Sequence, residues 1–369
     1  MGIPMATQLP NRNKLARLVK YGLAVTSSTL ILGCTQDVTT ESDFTAPDIT
    51  EKNSNWQLVW ADEFDGTEID TTKWTHEVNC SGGGNNEQQC YTDDAKNSYV
   101  QDGLLYLVAM AEEGLDNEKG YTSARLNTKD KGDWTYGRFE IRAKLPAGQG
   151  TFPAGWMLPT DNVYGGWPNS GEIDIFEGVN TKAVKADDSI DSTIHGTIHY
   201  ARMAAVVDGA HQHDKAVTFG HHHSGTSIDT DANPADEFHT YAIEWEEGEI
   251  RWYVDDILYA TQRKSEIRYK SDGNPALAHK GWYTEDYDPY GQIKDNYTSA
   301  PFDQDFHLLL NNAVGGDWVD GIKDSYKNPH TDEKGVDPSA FAEGNPLIVD
   351  YVRVYQCSVS PSTGKGCGT

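Results

Sequence analysis

Basic residues are scarce in this chain: 369 residues carry 30 Lys and Arg against 57 Asp and Glu, a formal net charge of -27. Four of the basic groups (Arg12, Lys14, Arg17 and Lys20) sit in the first 33 residues, where there is no acidic group, so the remainder is more acidic still. Such a surface repels phosphate backbones and anionic headgroups, which argues against nucleic acid as a partner and disfavours strongly sulfated polysaccharides. Long apolar runs are also lacking. Tyr21 to Gly33 is mostly apolar but only 13 residues long, too short to span a bilayer as a helix. No stretch carries a convincing amphipathic helical period. Glu249 to Tyr259 comes nearest, but its β-branched and aromatic residues and Asp255-Asp256 argue against a helix. What is abundant points elsewhere: 10 Trp, 19 Tyr, 10 Phe and 35 Gly suit an all-β fold with a carbohydrate-binding surface.

The N-terminus has the layout of a secretory signal, with a basic stretch to Lys20 and then the apolar run. Ile31-Leu32-Gly33-Cys34 resembles a bacterial lipobox, in which Cys34 becomes the lipid-bearing first residue of the mature protein. Ile31 stands where Leu is commoner, and Thr35 after the cysteine is compatible with sorting to the outer membrane. The expectation is therefore a signal peptide over 1–33 and an exported protein held at the outer membrane by a lipid anchor. Residues 34–55 are rich in Thr, Ser, Asp, Glu and Pro, too polar to bury a core, and read as a tether. Four cysteines remain, which allow three connectivities. The local pairs Cys80–Cys90 and Cys357–Cys367 require no long-range coincidence and suit an oxidising compartment.

The folded domain is expected over 56–357, with 358–369 as a C-terminal tail. Strands are predicted at Gly103 to Met110, Tyr121 to Asn127, Tyr136 to Leu145, Gly171 to Val179, Thr193 to Tyr200, Phe238 to Trp245, Glu249 to Val254 and Phe306 to Ala313. Glu246-Glu247-Gly248 reads as a hairpin tip, its arms alternating Tyr241, Ile243, Trp245 and Ile250, Trp252, Val254. Two polar inserts, Ala201 to Glu237 with five histidines and Lys264 to Ser299 with Trp282, read as long loops. The His-rich one is taken as solvated rather than as a metal site.

The segment from Gly171 to Gly178 carries the chemistry. Strand alternation puts Glu172 and Asp174 on one face and Ile173 and Ile175 on the other. Glu177 lies an odd number of residues from Glu172 and falls on the wrong face, unless one extra residue near Ile175-Phe176 makes a β-bulge. With the bulge, the outer Cα atoms lie about 13 Å apart. Side chains leaning together then leave roughly 5 to 6 Å between carboxyls, the spacing of a retaining glycosidase pair. Trp167-Pro168 just upstream offers an indole platform for a sugar face.

These residues resemble glycoside hydrolase family 16, in its bacterial laminarinase (endo-1,3-β-glucanase) branch. The matching pieces run from Trp60-Ala61-Asp62-Glu63-Phe64 through Asn85-Asn86-Glu87-Gln88, Tyr136-Gly137-Arg138-Phe139-Glu140, Trp156-Met157-Leu158-Pro159 and Glu172 to Glu177, and on to Asn311-Asn312-Ala313-Val314-Gly315-Gly316. The resemblance implies a two-sheet jelly roll with a concave cleft, Glu172 as nucleophile, Glu177 as acid and base, and Asp174 helping to hold their protonation apart. It implies substrate contacts from Trp156, Trp167, Asn86, Glu87, Arg125, His199 and, more weakly, Trp318. A structural Ca²⁺ away from the cleft is implied at Glu63, the Gly103 carbonyl and Asp350, with no cofactor for catalysis. The bulged Glu-x-Asp-x-x-Glu spacing resembles laminarinases, agarases and carrageenases rather than lichenases. Gly155 stands where an aromatic is common, which predicts a more open cleft wall; Asn312 replaces a usual apolar residue. The leading expectation is a monomeric endo-hydrolase of β-1,3-glucan. The alternatives are hydrolysis of agar, porphyran or mixed-linkage glucan, transglycosylation, and a non-catalytic glucan-binding lipoprotein.

Overall fold

A computed structural model describes residues 55–112, 120–201, 206–207, 210–211, 221–287, 290 and 293–368; the signal region, Cys34 and all of the tether but Asn55 lie outside them. Two sheets face each other. The larger runs in the order Ile257–Arg263, Glu249–Val254, His239–Glu246, Gly137–Lys144, Asn345–Cys357, Leu104–Ala111, Tyr121–Ser123, Gln89–Tyr91. The smaller runs His221–Asp229, Thr193–Ala201, Glu172–Gly178, Thr151–Pro159, Phe306–Val314, Arg125–Asn127, Thr75–His76. Pairing is antiparallel except between Gln89–Tyr91 and Tyr121–Ser123. The Trp56–Asp62 strand pairs with Asn345–Cys357, so the two ends of the domain close together. No helix of the described residues is long and apolar enough to cross a membrane.

Alternating side chains from the two sheets meet in one core. Phe139, Ile141, Tyr241, Ile243, Trp245, Ile250, Trp252 and Val254 come from the larger sheet; Leu126, Met157, Ile173, Ile175, Phe176, Ile194, Ile198 and Leu308 come from the smaller. Every apolar residue assigned to the arms of the hairpin is thus inside. Its turn is Glu247-Gly248, with Glu246 opposite Glu249 and Gly248 at φ 86°. The segment that came nearest to a helix instead forms a second hairpin. Asp255 and Asp256 both take positive φ at its tip, the backbone that a two-residue turn between right-twisted strands requires.

The two inserts are more ordered than the loops expected. His221–Asp229 is an edge strand paired along its whole length with Thr193–Ala201, from Ala201 opposite His221 to Thr193 opposite Asp229. The second insert holds two hairpins, Glu266–Tyr269 with Pro275–His279 and Thr284–Tyr287 with Ile293–Asn296. Trp282 between them is buried against Phe302, where it plugs the core. Polar composition concealed both because an edge strand buries only part of its side chains. Asn312, in an apolar position by the resemblance, is fully buried and ties the sheets together. Its Nδ2 donates to the Leu107 and Asn345 carbonyls at 2.9 and 2.7 Å.

Disulfides join Cys80 to Cys90 and Cys357 to Cys367. Glu63 follows Asp62, which pairs with Val352, and Val349 pairs with Leu105 two residues from Gly103. Register therefore gathers Glu63, Gly103 and Asp350 where the Asn345–Cys357 strand passes from pairing with Leu104–Ala111 to pairing with Trp56–Asp62. Their carboxylates are engaged by cations: Glu63 takes both Nε and Nη2 of Arg353 at 2.7 and 2.8 Å, and Asp350 pairs with Arg142.

Candidate active site

The site is built on the Glu172–Gly178 strand, and a bulge decides it. Asp174 pairs with Thr197 and Glu177 with His195, so three steps on one strand face two on the other. The same irregularity shows against Thr151–Pro159, where Trp156 faces Asp174 and Gly155 faces Phe176. Ile173, Ile175 and Phe176 all enter the core, and the bulge returns Glu177 to the face of Glu172 and Asp174. The core side of the bulge is propped from the opposite sheet, where Trp252 Nε1 donates to the Asp174 carbonyl at 2.7 Å. Gly196, across from the bulge, makes room for this prop. A Cβ there would lie 2.4 Å from Trp252 Cδ1 and 2.6 Å from the Tyr259 hydroxyl.

Around the carboxylates the partners are unequal. Trp167 Nε1 donates to Glu172 Oε2 at 2.8 Å while the indole remains 55% exposed. His199 Nε2 lies 3.2 Å from Asp174 Oδ2 and 3.6 Å from Glu172 Oε1. Glu177 is 9% exposed and has the Thr197 hydroxyl as a hydrogen-bond donor. Burial, then the neighbouring Asp174, pushes Glu172 up to about 8, against the opposing pull of His199 and the Trp167 N–H. Burial, then Asp174 and Glu172, drives Glu177 well above the usual carboxylate range, and only Thr197 opposes it. His199 is itself raised: burial works against its charge, but Asp174 and Glu172 outweigh it. A crowded cluster of this kind retains a proton near neutrality. Glu177, which only the Thr197 hydroxyl favours as a carboxylate, is the better placed of the two glutamates to hold it, while His199 and the Trp167 N–H favour the ionised form of Glu172.

The other expected residues divide into two groups. Arg125, Glu87 and Trp156 form one network beside the triad. The Arg125 guanidinium stacks 4.5 Å over Tyr91 and 5.3 Å over Trp156, and it lies 3.9 Å from the Glu87 carboxylate. Trp156 Nε1 donates to Asn311 Oδ1 at 2.6 Å. Arg125 and Glu87 are buried, so they brace the floor more than they present groups to solvent. Asn86 is exposed and donates to Asp317 at 2.9 Å. Trp318 stands apart from Glu172, on the short helix Asp317–Ile322. It packs edge-on against His195 at 4.9 Å, beside the row that holds Glu177. Gly155 does not open the cleft wall. It faces inward, where a Cβ would meet Phe176 at 2.4 Å and Ile141 at 2.7 Å, and its lack of a side chain accommodates the bulged Phe176.

Sequence reasoning missed Thr197, His195 and His223. The first two share the active face with His199 by simple alternation, a signal that was available. His223 lies opposite His199 with rings 6.0 Å apart, which could not be foreseen while its strand was read as a loop. Together with Gly225, Ser227 and Trp318, these residues line an open depression beyond the triad.

The family profile of Glycosyl hydrolases family 16 matches residues 84–285. A β-glucanase of Rhodothermus marinus is 39% identical over 313 residues, 84% of this chain and 88% of that protein. Glucan endo-1,3-β-glucosidase A1 of Niallia circulans is 35% identical over 315 residues, 81% of this chain but 38% of that longer protein. The crystal structure of the Rhodothermus marinus laminarinase superposes with a TM-score of 0.58 at 38% identity, covering 81% of this chain and 97% of that one. The chain belongs to glycosyl hydrolase family 16.

Proposed function

We propose that the protein is an endo-acting hydrolase of β-1,3-glucan that works with retention through a glycosyl-enzyme. The observation that carries the mechanism is the bulge between Asp174 and Glu177, which puts three carboxylates on one face. Glu172 attacks the anomeric carbon as its carboxylate, the form that His199 and the Trp167 N–H favour. Glu177 gives its proton to the leaving oxygen, and as a carboxylate it then takes a proton from the water that cleaves the intermediate. Asp174 keeps the cluster's charge high enough that the proton is retained until it is needed. Trp167 and Trp156 supply apolar faces for sugar rings.

Incubation of the purified protein with laminarin, lichenan and agarose tests this reading. Reducing ends should appear fastest from laminarin, with the β-anomer formed first by NMR; first-formed α-product, or faster cleavage of agarose, would overturn it.

Two further assignments belong to the same proposal. Ca²⁺ bound by Glu63, the Gly103 carbonyl and Asp350 would staple the chain ends, drawing both carboxylates from their arginines; register and oxygen chemistry support it. Chelation should then lower the melting temperature, and an unchanged melting curve discards the ion. Export with lipid attachment at Cys34 is supported by the two disulfides, which suit an oxidising compartment. Labelling with a palmitate analogue should be lost in Cys34→Ser.

A further inference from the structure

The catalytic cluster has a second chemical character. Glu172, Asp174 and His199 each offer one ligand atom, and all three atoms lie within 4.8 Å of one another. Asp174 is 2% exposed, yet its Oδ2 is buried without a hydrogen-bond partner, although it points toward His199 Nε2. The separation of 3.2 Å is at the upper end of the range for a hydrogen bond, and 3.6 Å is beyond it. Both lie within about 0.1 Å of the edges of a tetrahedron of donors, about 3.3–3.6 Å for metal–N and metal–O bonds of roughly 2.0–2.2 Å. One imidazole with two carboxylates suits a borderline-soft transition metal, whereas Mg²⁺ and Ca²⁺ prefer all-oxygen shells.

We propose that a divalent transition metal ion of the zinc class binds to Glu172, Asp174 and His199 and reversibly silences the enzyme. Water completes the shell, open toward the cleft. The ion holds the Glu172 oxygen that would attack the anomeric carbon, so metal and sugar exclude each other. Binding itself rests on the geometry alone; its inhibitory consequence rests on Glu172 as the nucleophile.

Calorimetry of the full chain with Zn²⁺ tests the site without relying on turnover. The expected result is one competitive ion: a β-1,3-gluco-oligosaccharide weakens zinc binding, Mg²⁺ does not replace zinc, and EDTA restores laminarin cleavage. His199→Ala should weaken zinc roughly tenfold or more. His222→Ala should not, because that ring stacks on Tyr200 on the other side of the strand. Zinc that is lost in His222→Ala but retained in His199→Ala would place the ion on the histidine-rich strand and overturn the proposal, as would zinc indifferent to oligosaccharide. Metal-free protein that leaves laminarin intact would instead refute the hydrolase reading, and the calorimetric outcome would still stand.

Discussion

At the scale of single residues, the chemistry depends on unequal company. Glu172 has a cation and an indole donor, while Glu177 has a hydroxyl. Two predictions follow from that difference. Replacing His199 with Gln removes the charge that favours ionised Glu172, so the acidic limb of the kcat/KM profile should move to higher pH; an unmoved limb would show that His199 does not tune the nucleophile. Glu177→Gln should lower kcat about 10²–10⁴-fold, the usual contribution of a positioned acid and base. It should also make the protein more stable in alkaline buffer. Burial raises the folded-state pKa of both glutamates above the ordinary 4.5, with Glu172 near 8, so the folded state holds protons that the unfolded chain releases. Stability is therefore complete below about pH 4.5 and is lost as pH rises through the folded-state values. The neutral amide escapes that loss. Melting curves should show Glu177→Gln above the parent at pH 8 and level with it at pH 4; a constant offset would mean that the titration is not the cause.

At the scale of elements, the site is a strand with one residue too many and a glycine on either side to receive it. Gly155 admits Phe176, and Gly196 admits Trp252 and Tyr259. Gly196→Ala should destabilise by about 1–3 kcal/mol through overpacking. It should also depress kcat, because displacing Trp252 frees the Asp174 carbonyl; a stable, fully active variant would show that the prop is dispensable. The bulge was legible in the sequence because period-two arithmetic leaves Glu177 on the core face otherwise. The Tyr241 to Val254 hairpin was legible for the same reason, since its apolar positions alternate. Alternation failed where a strand buries little or a residue is chosen for what it leaves out. His221–Asp229 carries little apolar pattern because an edge strand has little to bury. Gly155 looked like a gap in the cleft wall when it was a space in the core. The six-residue Asp317–Ile322 helix is too short to display a period at all.

At the scale of the molecule, the two sheets divide catalysis from closure. The smaller sheet bears the triad, whereas the larger one carries a buried charge network that the C-terminal tail covers. Arg138 pairs with Glu140 at 2.7 Å and Glu244 at 3.1 Å, and Arg251 reaches Glu244 at 3.2 Å. A Cβ on Gly368 would lie 1.9 Å from Arg251 Nη2, so the tail rests directly on that guanidinium. The Cys357–Cys367 bond and the Glu247 N–H donating to the Thr363 carbonyl hold it there. Cys367→Ser opens a loop of sequence separation 10, worth about 2–3 kcal/mol in unfolded-chain entropy, and it loosens the cover over the network. Melting should fall by several degrees. Turnover of laminarin at 25 °C should stay within about twofold of the parent, because the tail rests on the larger sheet, at Arg251 and Glu247, and the catalytic strand lies in the smaller one. A loss of kcat that tracks the loss of melting temperature would mean that the bulge is sensitive to the far sheet, with Trp252, on the strand next to His239–Glu246, as the connection.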